Sequence, residues 1–559
     1  MFDFTTVAEA VRRIGTLFPR NGFTFQDLQG KEVFYTFHQI AAETERRAAG
    51  LQELGLHKGD RLGMIVIDPE QFVLTFLAAV RIGVIPVPVY PPPFLGRLET
   101  YFHQTEAILD SASVEILVVS SRILAVMQRL GSRAGALKQI VEVEALARRT
   151  KETPLVEEEI SPDDPVFLQY TSGSTTSPRG VIVTHRNLLS NSRAFVTSGL
   201  AVDPSRDKGI TWLPLFHDMG LVGFVLAPIC CGVSVVFIPT QRFIKSPTVW
   251  LEAIHTHRGT ISFAPNFAFN LTLRRVKDAP AKDWDLSCLK ALGCGAEPIH
   301  PETLREFSAT FQSYGLSPDA ILPAYGLAES TLAVTMKPLH APFRLRRVNR
   351  TIFETAGTAK EANGEADGVL EHVSCGIPFP DHELAILSGS GEPVAECVEG
   401  EICLRGPSVA AGYMGMAEQF QKLMRNGWFH TGDLGYLAQG ELYVTGRIKD
   451  LIIINGRNIH PQTVEWVTSA VEGVKRGSVA AFSRPGRNGE ELVLVVEAKS
   501  NDTSEMISAI ELAVHQAILT RPAHIVCIKP GSLPRTSSGK LKRHQIRQQY
   551  LAGGLSLIS

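Results

Sequence analysis

Between Arg61 and Val89 the chain spells a strand, a helix and a second strand in turn. Residues 61–67 and 84–89 are short apolar runs, and 69–82 carries helical spacing behind Pro69. Such a succession builds layers of helix against sheet, which limits the folds open to the chain. The alternation runs through the first four-fifths of the sequence and predicts an α/β fold. At 559 residues the chain exceeds the size at which one core stops growing, so at least two domains are expected. After Gly446 and Arg447 the elements become compact: strands at 451–454 and 492–496, a helix at 504–519, a strand at 525–528. The reading is a large N-terminal domain over 1–445 and, after residues 446–450, a small α+β domain over 451–559.

Charge excludes some partners. Fifty-five Lys and Arg stand against 57 Asp and Glu, which gives no electrostatic basis for nucleic-acid or membrane-surface binding. The eight cysteines form no CxxC pair and sit mostly in apolar runs, which reads as reduced thiols of a cytoplasmic protein rather than a disulfide frame or metal site. The N-terminus lacks an apolar core of signal-peptide length. Residues 219–241 carry no charge, but Pro228, Gly232, Ser234 and Pro239 divide them into a helix ending near Gly232 and a strand at 233–238, so no membrane insertion is expected. Residues 350–368 are polar and poor in aromatics, which predicts an excursion or partly mobile loop.

The densest chemical signal follows the apolar strand at 165–168. Thr171, Ser172, Gly173, Ser174 and Thr175 precede Arg179 and Gly180, so hydroxyls and backbone amides can surround phosphate oxygens while the arginine adds charge. No Gly-Lys-Ser/Thr follows, which sets it apart from the nucleotide loop of that pattern. A Ser/Thr-rich surface turn has the same composition.

This loop resembles the phosphate loop of the adenylate-forming superfamily, and five further segments match in the superfamily's order. Gly295, Ala296, Glu297 and Pro298 resemble the strand beside adenine. Tyr325 and Gly326, with Glu329, resemble the motif whose tyrosine stacks on the purine and whose glutamate holds Mg2+. Asp433, in Thr431-Gly432-Asp433, matches the carboxylate that takes the ribose hydroxyls. Arg447 and Lys449 match the hinge, the first near ribose and phosphate, the second at the pivot, and Lys540 matches the adenylation lysine. The resemblance implies ATP and Mg2+ as cofactors, with Lys540, Glu329 and Arg447 catalytic. The assignments also make sense physically, because a carboxylate attacks a triphosphate only when charge on the α-phosphate is neutralised. Thr176 and Arg179 depart from the glycine and lysine of many relatives, and Ala328 from a threonine.

The segment Trp212–Gly220 and residues 455–462 resemble one branch, the fatty acyl-AMP ligases. His217, Phe224, Leu226 and Phe267 are then candidates for the fatty-acid site, although ordinary core packing explains an apolar helix equally well. The 104 positions between Glu329 and Asp433 exceed the superfamily's usual interval, and that branch carries an insertion here, placed at about 341–372. The implied reaction is fatty acid plus ATP giving acyl-AMP and pyrophosphate, then transfer to the phosphopantetheine thiol of a separate acyl carrier protein in polyketide, nonribosomal-peptide or lipid biosynthesis. Basic clusters at 540–547 and at Arg344, Arg346, Arg347 and Arg350 can meet an acidic carrier or serve solubility. Rival readings are a fatty acyl-CoA synthetase, a non-catalytic acyl or adenylate sensor, and an amino-acid-activating domain.

Overall fold

The computed structural model describes residues 3–92, 98–131, 133–148, 154–171, 178–277, 283–364, 368–475, 477–486, 489–498, 503–536 and 539–558. The predicted strand–helix–strand unit is strand Arg61–Ile65, helix Pro69–Arg81 and strand Ile85–Pro88. Asp68 caps that helix by accepting from the Gln71 amide, and Pro69 sits at its first position, where a missing N–H costs nothing. The two strands lie in a four-stranded parallel sheet with Ile116–Val119 and Gln139–Glu142.

A nine-stranded sheet forms the centre of the large domain. Its parallel core runs Ile321–Gly326, Ala291–Cys294, Ile261–Ala264, Lys208–Thr211, Ser234–Phe237 and Gly22–Gln26. Helices cover it, and its largest core cluster includes Trp212, Trp250 and Phe307, all buried. A three-stranded antiparallel sheet holds Pro165–Thr171 and Arg179–Thr184, and a five-stranded one is centred on Trp428–Ala438.

Beyond the hinge, a two-stranded ladder (Ile452–Ile454, Arg457–Ile459) and a three-stranded sheet (Val479–Gly486, Gly489–Glu497, His524–Ile528) pack with helices Pro461–Ser469, Ser504–Ile518 and Arg543–Leu551. Two hydrophobic clusters here draw on residues from Ile452 onward alone. The uncharged stretch ends a helix, Ala227–Cys231, at Gly232. That glycine has φ 80°, and a Cβ there would lie 2.4 Å from the Phe18 ring. Among the described residues no helix is long and apolar enough to cross a membrane.

Within the expected loop at 350–368, of which 365–367 lie outside the described residues, residues 350–356 form a helix. Strands Leu345–Asn349 and Val369–Val373 pair antiparallel around helix Arg350–Ala356. Asn349 caps the helix through the Ile352 amide, and Gly357 ends it with φ 63°. Val348, Phe353 and Ala359 bury themselves against Tyr436, Ala438 and Tyr443 of the five-stranded sheet. Composition misled because three apolar residues, spaced along a polar segment, suffice to seat it.

Candidate active site

A cleft of about 2770 Å³ runs between the large domain and the segment after the hinge. Thr171, Gly295, Ala296, Glu297, Pro298, Tyr325, Gly326, Glu329, Asp433, Arg447, Lys449 and Lys540 all line it, as do His217, Phe224 and Phe267. Ser172, Gly173, Ser174 and Thr175 fall within 172–177, outside the described residues. Leu226 is a correction. It is 0% exposed and takes no part in the cleft, because it lies two residues beyond Phe224 on a helical segment and faces the core.

One end of the cleft collects charge. Asp433 and Arg447 stand opposite each other on paired strands, with Arg447 Nε 2.7 Å from Asp433 Oδ1. Tyr325, from the end of the central sheet, donates its hydroxyl to Asp433 Oδ2 at 2.7 Å. The Asp433 charge holds Arg447 above the usual guanidinium range, and burial with that carboxylate pushes the Tyr325 phenol far up. Each carboxylate oxygen thus has one partner, which leaves acceptor capacity for a diol. A Cβ at Gly326 would lie 1.9 Å from Leu332 O, so this turn beside Tyr325 tolerates no side chain.

Arg179 sits opposite Thr171 in the hairpin that flanks the phosphate loop. Its guanidinium lies over the Tyr413 ring, 5.4 Å from the centroid, and Tyr413 donates to Glu329 Oε1 at 2.7 Å. Burial and the Glu329 charge raise the Tyr413 phenol. The sequence reading missed Tyr413, since it belongs to a two-residue strand with no motif of its own.

Glu297 accepts from the Phe267 amide at 2.6 Å, at the start of helix Asn266–Lys277. Ala296 beside it has φ 67°, a strained left-handed value for a non-glycine residue. Lys540 arrives on a tight turn in which Thr536 N donates to Lys540 O at 2.7 Å and Lys540 N to Thr536 Oγ1 at 3.0 Å. A Cβ at Gly539 would meet Phe267 at 3.9 Å, so the turn rests on the large domain. Burial raises the Asp218 and Glu297 carboxyls, and the Lys540 charge acts against that at both. Burial and the neighbouring Arg447 lower Lys449.

An apolar arm is lined by Phe195, Leu200, Phe224, Phe263, Leu332 and Met336, with the Phe224 and Phe263 ring centroids 6.4 Å apart. Phe195 and Leu200 come from one helical turn, with Leu200 capping it, and Met336 from the strand Ala333–Met336, and no motif in the sequence joins the two. Away from the cleft lining, the buried Glu354 of the inserted helix pairs with Arg457 beyond the hinge, and His460 Nε2, which does border the cleft, lies 3.0 Å from Glu399.

Two groups of residues could hold a metal. Glu329 offers a carboxylate anchored through one oxygen by Tyr413, a donor type that suits a hard cation. Ligand atoms of Glu401, Cys403 and His430 also lie within 4.8 Å of one another, a grouping the cysteine spacing does not reveal. Hydrogen bonds already engage them: His430 Nδ1 is 2.7 Å from Glu401 Oε2, and Gly432 N donates to Glu401 Oε1 at 2.9 Å. Burial pushes the Cys403 thiol up to about 12. All eight cysteines are free thiols.

Comparison with known proteins gives a family and relatives. Residues 20–414 match the model of the AMP-binding enzymes. A Caulobacter vibrioides protein with the provisional name acyl-CoA synthetase is 33% identical over 99% of this chain and 96% of its own length. The medium-chain-fatty-acid–[acyl-carrier-protein] ligase JamA of Moorena producens is 32% identical over 96% of this chain and 93% of its own. A solved structure from work on fatty acyl-adenylate ligases of E. coli and L. pneumophila superposes with a TM-score of 0.92 at 34% identity, covering 99% of this chain and 98% of that one.

Proposed function

Because the chain belongs to the AMP-binding enzyme family, we propose that it is a fatty acyl-AMP ligase whose acyl group passes to an acyl carrier protein. One observation carries the reading. Lys540, from beyond the hinge, and the Asp433–Arg447–Tyr325 group of the large domain line the same cleft, which continues into an apolar arm. The arm takes the acyl chain, and His217 lies beside the carboxylate. Asp433 receives the ribose hydroxyls, while Arg447 neutralises the carboxylate and faces the phosphates.

In the first step a fatty-acid carboxylate oxygen attacks the α-phosphorus of ATP, the bond to the β-phosphate oxygen breaks, and pyrophosphate leaves. Lys540 stabilises the charge that builds on the α-phosphate, where a fixed cation acts most strongly in the transition state. Glu329 is the proposed ligand for magnesium, which when bound neutralises triphosphate charge. In the second step a phosphopantetheine thiol attacks the acyl carbonyl and AMP departs. The carrier is a separate protein, and the enzyme works in the cytoplasm, where its free thiols stay reduced.

The Caulobacter relative's name favours coenzyme A as the acceptor instead. Product analysis with mixed fatty acids, ATP and either coenzyme A or a phosphopantetheinylated carrier separates the two. Acyl-AMP without acceptor, acyl-carrier with the carrier and little acyl-CoA is the expected pattern. Efficient acyl-CoA formation assigns the protein to the synthetases, and no adenylate under any condition defeats the whole reading.

A further inference from the structure

We infer that Glu401, clamped by His430, positions the ribose-binding turn, and so acts in nucleotide selection through Asp433 without touching the nucleotide. The inference rests on the ribose role proposed for Asp433. Strands Gly400–Arg405 and Trp428–Ala438 pair as Cys403↔His430 and Glu401↔Leu434. Two steps on the first strand therefore face four on the second, and Thr431, Gly432 and Asp433 bulge outward opposite Ile402 alone. The bulge aims the Asp433 side chain toward Tyr325 and Arg447. It also takes the Gly432 amide out of the strand ladder, at a residue whose φ is 73°.

Out of the ladder, the part-buried Gly432 amide needs another partner, and Glu401 supplies it. Its Oε1 accepts from Gly432 N at 2.9 Å. Its second oxygen is fixed by His430 Nδ1 at 2.7 Å, and His430 belongs to the residue pair at which the bulge begins. Thr431 adds a second tether, donating to Ile402 O at 2.7 Å and accepting from the Asp433 amide at 3.0 Å. Glu401 and His430 both border the cleft, where the regular ladder stops. A carboxylate so held fixes the turn's height, and a change of about 1 Å at Asp433 decides whether it reaches the diol.

The test compares kcat/KM for ATP with that for 2′,3′-dideoxy-ATP in acyl-AMP formation, using the full chain. The wild type is expected to prefer ATP by about 100-fold, since two hydrogen bonds to a charged acceptor are at stake. Glu401→Ala should cut that preference at least about tenfold, almost entirely through KM for ATP. Glu401→Gln, which retains an acceptor for Gly432, should stay within about threefold of wild type. His430→Ala, which releases the clamp but leaves the Glu401–Gly432 hydrogen bond, should fall between them, and it decides the matter where Glu401→Ala does not fold. Equal losses for both nucleotides, with the preference intact, overturn the positioning role and leave a structural one. A wild type that does not discriminate between the nucleotides overturns the ribose role of Asp433 itself.

Discussion

Lys540 is held at the cleft by two hydrogen bonds between its backbone and Thr536. Its charge matters most while the α-phosphate is under attack, so Lys540→Ala should lower acyl-AMP formation by about 100-fold or more while ATP binding largely survives. Stopped-time adenylate assays alongside ATP titration check this, and near-normal adenylate release removes the assignment. A second residue fixes a pH limit. His185 is 1% exposed, accepts the Val7 amide at Nδ1, and is held by burial at about 4 instead of 6.5. The unfolded chain therefore binds a proton that the folded chain refuses between these values, so this contribution to stability is complete above pH 6.5 and declines as pH falls toward 4. At pH 5 the loss is roughly 2 kcal/mol. Urea unfolding at pH 7.5 and pH 5.0 should show a smaller acid loss in His185→Gln than in wild type, and an equal loss contradicts the account. The residues that were legible in sequence, such as Lys540, Glu329 and Asp433, each sit inside a contiguous motif. Tyr413 and Glu401 were not, because only chain pairing brings them to those motifs, and His430, although next to Thr431, shows its role only through its contact with Glu401.

Periodicity placed the elements it named within a few residues, as with strand Arg61–Ile65, helix Pro69–Arg81 and helix Ser504–Ile518. It failed at the insertion, where the capping signals of Asn349 and Gly357 were present but the polar composition outweighed them. That inserted helix sends Glu354, 2% exposed on its side chain, to Arg457 beyond the hinge. Burial raises the Glu354 carboxyl and Arg457 opposes the rise, so each needs the other while the domains stay in this arrangement. A brace of this kind limits the rotation needed to present a coenzyme A channel. The unmodified protein should accumulate acyl-AMP with little acyl-CoA. A folded variant in which a short turn joins Asn349 to Val369 should gain measurable acyl-CoA synthesis, with Arg457→Ala in between. Removing a brace cannot create a pocket, so a shortened variant that still makes no acyl-CoA assigns the exclusion to the acceptor site and not to the insertion.

The segment after the hinge has its own hydrophobic clusters and meets the large domain through a few polar and aromatic contacts, among them Glu354–Arg457 and the His300 and Trp466 rings 4.6 Å apart. Small, partly polar interfaces between domains are the ones that move. The change in pattern at 446–450 suggests a boundary in sequence, but not which face of the segment after it meets the cleft, since that depends on contacts between residues more than a hundred positions apart. Lys540 lines the cleft in the present arrangement, which on the proposed reading suits adenylation; delivery of a thiol to the same carbonyl would then need Lys540 withdrawn and another face presented. The proposed pivot is Lys449, inside the helical turn Ile448–Asp450. Proline fixes φ near −65°, a value such a turn already uses, so Lys449→Pro should hold the observed arrangement and resist rotation. Because Lys449 also lines the cleft, its charge must be separated from its backbone, and Lys449→Ala does so. Acyl-AMP formation should survive in both variants. Transfer to a phosphopantetheinylated carrier in single-turnover mixing should slow by about tenfold or more in Lys449→Pro and stay near wild type in Lys449→Ala. Equal slowing in the two variants makes Lys449 a charged contact, and rapid transfer by the proline variant places the pivot elsewhere.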